Sequence, residues 1–116
     1  MTANELFCAA LALFYENNSE VHQEFVKGLI NILLAECFEV NNRMRRRAGK
    51  EELTEIPQIG DMLDPIPYEE MLVRLALPYG LAAKLFFEEQ DNPRLTYFLQ
   101  EYAERVNRCD RWVVAF

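Results

Sequence analysis

The chain has 116 residues, 51% hydrophobic and 12% aromatic, and its 12 Lys+Arg against 19 Asp+Glu give a formal charge of −7. A disordered tail would be poorer in Leu, Phe and Tyr, and a chain of this length holds one core, not two multi-helix domains. The acidic balance argues against a protein whose main task is gripping nucleic acid, which needs clustered cations facing phosphates, and against a peripheral binder of anionic membranes.

Thr2-Ala3-Asn4-Glu5 predicts a capping box that opens a first helix. Leu6, Ala10, Leu13 and Phe14 share one face of it, and Asn17-Asn18-Ser19 supplies turn chemistry that stops it near Glu16. A second helix is expected from Glu20 to Arg47. Val26, Leu29, Leu33, Cys37, Val40 and Met44 form its core stripe, and Ile30, Leu34 and Phe38 make a second row that implies contact on two sides. Gly28 weakens this helix by about 1 kcal/mol without ending it. Gly49 ends it as a C′ glycine after a basic last turn. At about 1.5 Å per residue such a helix runs about 42 Å, against a diameter of roughly 35 Å for a compact chain of this size. Its end, Arg43-Met44-Arg45-Arg46-Arg47, is therefore expected to overhang the core.

Between Lys50 and Pro67 the helical period lapses. Pro57, Pro65 and Pro67 block regular helix, while Ile56, Ile59, Met62, Leu63 and Ile66 keep the segment apolar. An ordered, extended arm over 49–67 is expected, lying on its own core or on a neighbour. Tyr68-Glu69-Glu70 opens a third helix, which kinks at Pro78. Asn92 as N-cap and Pro93 at the first helical position start a fourth, whose Leu95, Leu99, Tyr102, Val106, Cys109 and Val113 face the core. The expected fold class is all-α. A single helical domain spans 1–116 as a four-helix, bundle-like unit with one long helix, one Pro-kinked helix and a Pro-rich extended arm.

His22 is the only histidine, and local spacing places no Ser, Cys or carboxylate beside it. Cys-x-x-Cys, His-Glu-x-x-His and glycine-rich phosphate loops are absent from the sequence. No catalytic residue, metal ligand or cofactor site is expected, and the chain reads as a non-enzyme. Cys8, Cys37 and Cys109 sit in apolar helical patterns and are expected to be buried free thiols of a reducing compartment. Met1–Glu5 lacks the basic region of a signal peptide, and charges break every apolar stretch before about 18 residues, so a cytosolic protein with no membrane span is expected.

The sharpest charge feature is Arg43, Arg45, Arg46 and Arg47 with Lys50. Three roles compete: complementing the helix dipole, worth about 0.3–1 kcal/mol per cation; pairing with an acidic partner surface; or contacting a nucleic-acid backbone. Subunit pairing is preferred, because the rest of the chain is rich in acids. With Ile56, Ile59, Met62, Leu63 and Ile66 of the arm, and Trp112 and Phe116 of the apolar end, the arginines form a candidate protein interface. A small helical nucleic-acid-binding regulator using Arg43–Arg47, or a cytosolic adaptor for another helical protein, stands as the alternative.

Asn4-Glu5-Leu6-Phe7 with Ala10-Leu11-Ala12-Leu13, then Leu33-Leu34-Ala35-Glu36 leading to Asn42-Arg43 and the arginine run, resemble the small all-helical head–tail connector (adaptor or head-completion) proteins of tailed bacteriophages and prophages. The pattern continues through Glu55-Ile56-Pro57, Ile66-Pro67-Tyr68-Glu69-Glu70, Leu75-Ala76-Leu77-Pro78-Tyr79-Gly80-Leu81-Ala82, and Asp91 to Tyr97-Phe98 and Tyr102. The resemblance covers most of the chain and rests on common residues rather than a catalytic signature. It implies a non-enzymatic ring subunit seated between portal and tail, partnered by its own copies and by portal and tail-completion proteins. DNA would pass through the lumen without specific binding. The implied location is the host cytoplasm during assembly and the virion neck afterwards.

Overall fold

The computed structural model describes residues 1–13, 23–85, 87 and 92–111. They are mostly helical, with six helices and no strand among the described residues: α1 Ala3–Ala12, α2 Gln23–Glu36, α3 Phe38–Arg47, α4 Glu70–Leu75, α5 Leu77–Leu85 and α6 Asn92–Asp110. None of the described helices is long and apolar enough to cross a membrane.

α1 opens as the sequence predicts. Thr2 accepts from the Glu5 amide, and the Glu5 carboxylate accepts from the Thr2 amide, both at 3.1 Å. Two further amides of this helix start, which intrahelical bonding leaves free, find carbonyls elsewhere: Ala3 donates to Asp64 at 2.9 Å and Asn4 to Met62 at 2.8 Å. The helix ends at Ala12, with Leu13 as C-cap. The Phe14 to Glu16 continuation lies outside the described residues.

The expected long helix is two. Cys37 leaves helical geometry at φ −99°, ψ 5°, between α2 and α3. At this break the Leu34 carbonyl accepts a bond from the buried Tyr68 hydroxyl, and burial holds the Tyr68 proton on its oxygen by raising its pKa. Most of both apolar rows is occupied within the chain: Val26, Ile30, Leu33, Leu34 and Cys37 are essentially inaccessible and Phe38 packs against the core at its edge, whereas Leu29, expected in the core stripe, is only partly buried. α3 stops as expected. Gly49 adopts φ 76°, its amide donates to Arg46 and that of Lys50 to Arg45, the two bonds of a Schellman end.

α5 is the hub, touching α1, α2, α4 and α6. Its Leu77, Pro78, Gly80, Leu81, Ala82 and Ala83 are all buried, as suits a helix whose one charged residue is Lys84. Pro78 lacks an amide hydrogen for the Arg74 carbonyl, and the α4–α5 axis breaks at Ala76. The neighbouring Leu75 carbonyl accepts from Arg105 at 3.3 Å, and the same guanidinium lies 3.9 Å over the Tyr79 ring. On α6, Phe98 and Cys109 are buried, whereas Leu99, expected to face the core, is half exposed. One residue turns a helix by about 100°, and here Phe98 takes the inward place against Tyr79.

Residues 48–69 carry no helix or strand, apart from one isolated bridge between Thr2 and Pro65. Three helix asparagines pair with backbone groups of this segment. Asn42 grips both the amide and the carbonyl of Leu53 at 2.8 and 3.0 Å. Asn31 does the same to Ile59 at 2.8 and 3.2 Å, and Asn41 accepts from the Glu69 amide at 2.7 Å. Ile59, Met62, Ile66 and Tyr68 drop into the core.

Of the three cysteines, all free, Cys37 and Cys109 are buried but Cys8 is exposed, correcting the expectation of three buried thiols. Leu6, Phe7 and Ala10 take the inward face of α1, and Cys8 falls outside it. Burial raises the Cys37 thiol pKa to about 11 and raises that of Cys109 as well. Since the thiolate is the reactive form, one thiol of three is expected to react with an aromatic disulfide reagent in the native protein, and all three in denaturant. Rapid native labelling of all three would contradict this packing.

Candidate interaction site

The arginine run does not overhang. Cys37 lies beside Tyr102 and Arg43 beside Asp110, so α3 and α6 advance in the same direction and end together. Two helix C-termini attract cations to that end. Arg43 forks onto the Asp110 carboxylate at 2.8 and 3.0 Å, and Arg47 donates to the Asp110 carbonyl. Arg45 bonds the Glu51 carbonyl at 2.6 Å and faces Glu69 at 3.5 Å. Arg46 pairs with Glu52 at 3.0 Å, and Lys50 with Glu69 at 3.0 Å. The expected overhang is thus a clamp fastening α3 to α6 and to the chain on either side of residues 53–68.

Asp110 titrates accordingly. The hydrogen bond from Arg43, then the charges of Arg43 and Arg47, hold its carboxyl below the ordinary value. A depressed carboxylate stabilises the fold above its unfolded-state pKa and loses that contribution as pH falls through the folded one. The pair is partly exposed, so its contribution is at most about 1 kcal/mol. As pH falls below about 4, Arg43→Gln is expected to lose less stability than the parent in denaturant titrations. Parallel losses would show the pair to be energetically silent.

The candidate interface residues of 49–67 divide. Ile59, Met62 and Ile66 are buried in their own chain, so they offer no surface to a partner, correcting their expected role. Ile56 and Leu63 point outward, Leu63 being 77% exposed. Leu63 sits on a stiff turn, where Asp64 accepts from the Gly60 and Asp61 amides and Asp61 from that of Leu63. Trp112 and Phe116 lie outside the described residues, as do His22 and Val113. Among the described residues no group of three or more His, Cys, Asp or Glu is placed to hold a metal.

A groove of about 370 Å³ opens between α2, α5 and α6. Phe25 and Ile32 of α2, Leu99 of α6 and Phe87 line it, each about half exposed or more, and Leu29 forms part of its wall. Its polar end is a small network. Glu36 accepts from the Tyr102 hydroxyl at 3.0 Å and from Lys84 at 3.1 Å, and the Cys37 sulfur lies 3.2 Å from the same hydroxyl. Burial, first among its causes, raises the Tyr102 pKa and keeps the phenol protonated. Gly80 forms the floor, where α5 meets Leu33 and Tyr102.

No family model matches the chain, and neither a curated protein nor a solved structure matches it. The groove therefore has to be read from its own geometry. At about 100° per residue, Val26, Ile30, Leu33 and Cys37 point one way. Phe25, Leu29, Ile32 and Glu36 share a row about 100° to one side, while Lys27 and Asn31 lie about 110° to the other, against residues 59–60. α2 thus has three working faces. The sequence signal for the groove was the 4-3-4 spacing of 25, 29, 32 and 36, a third row masked by the two richer ones beside it.

Proposed function

We propose that this chain is a non-enzymatic structural subunit, completed by other protein surfaces, of the head–tail connector kind. In this role copies form a ring between portal and tail, the segment 49–67 serves as an arm on the helical bundle, and DNA passes through a lumen lined by an acidic protein that does not hold it. Assembly would take place in the host cytoplasm and end in the virion neck.

The observation that carries the proposal is the convergence of Phe25, Ile32, Phe87 and Leu99 on one groove. Single exposed apolar side chains are ordinary, whereas a contiguous apolar patch rimmed by polar groups marks a site of association. The resemblance of its segment order to that of connector proteins supplies the choice of assembly. The clamp formed by Arg43, Arg45, Arg46 and Arg47 engages these side chains within the chain, and so lends the nucleic-acid alternative no support.

Electron microscopy of the protein mixed with portal complexes is expected to show an added annular layer. Ile32→Asp, which places a charge in the groove and touches no fully buried position, is expected to weaken that association at least tenfold, about 1.4 kcal/mol, with the helical circular dichroism unchanged. Undiminished assembly of Ile32→Asp would remove the groove from the account. DNA binding that weakens steeply with salt would replace it with the regulator.

A further inference from the structure

We draw no further inference here: the strongest candidate, the stiff turn 60–64 presenting Leu63 as the knob that would enter the α2–α5–α6 groove of a second copy, carries nothing because its Asp61 and Asp64 meet no surplus of positive charge at the groove and nothing in the structure shows what covers either face.

Discussion

Gly80→Ala is expected to destabilise the protein by about 2 kcal/mol, despite replacing a poor helix former with the best one. A Cβ at this position would stand 2.7 Å from Leu33 Cδ2 and 2.7 Å from Tyr102 Cε1. Both neighbours are hemmed in: Leu33 is fully buried and Tyr102 is held by Glu36. Relief requires α5 to move off α2 and α6 together, opening the floor of the groove. Gly28 provides the control within the same molecule, since a Cβ there meets nothing within 4 Å. Gly28→Ala is expected to raise stability by about 0.5–1 kcal/mol through helix propensity alone. Thermal melts of the two variants should therefore move in opposite directions, by about 4 °C per kcal/mol. A Gly80→Ala protein as stable as its parent would mean that the three-helix contact is looser than described.

Asn42→Ala is expected to cost about 2 kcal/mol, and Asn31→Ala a similar amount. Each asparagine supplies both a donor and an acceptor to a single residue of the irregular segment, Leu53 or Ile59. Truncation strands an amide and a carbonyl at once, and the loss is greatest where water has least access. Ile59 is nearly inaccessible and Leu53 only partly so. Urea titrations give the loss, and hydrogen exchange localises it: Leu53 and Ile59 should lose protection while the amides of α5 keep theirs relative to global unfolding. A cost under about 0.5 kcal/mol for both variants would show that apolar burial alone seats residues 48–69.

Features decided within four residues were legible in the sequence. The capping box at Thr2 and Glu5 and the left-handed Gly49 depend on neighbours in the chain, and both stand where they were expected. Pro78 announces its own break. The interruption at Cys37 has no such local mark, because the 33, 37, 40, 44 stripe runs straight through it. A hydroxyl 34 residues away, that of Tyr68, meets the Leu34 carbonyl there. The arginines were conspicuous as a run, yet what they touch depends on where α6 ends, and that is a tertiary fact. The asparagines were inconspicuous for the opposite reason. A buried Asn inside a helix looks like an ordinary polar residue until an irregular backbone needs amides to pair with. The groove row on α2 lay hidden because three apolar rows on one helix exceed what a single core requires.

The two interruptions, at Cys37 and at Ala76, differ in where their cause resides. Ala76 owes its bend to the ring two positions later, so that angle is written into the local chain and travels with it. Cys37 has no proline, glycine pair or turn residue at its side, and its departure from helicity is bound up with a distant phenol reaching an oxygen. The first has its cause in the local chain; the second meets its partner only in the folded molecule. A change that withdraws Tyr68 would strip the Leu34 carbonyl of that partner at the junction of α2 and α3, whereas the interruption at Ala76 would persist in every variant that keeps Pro78.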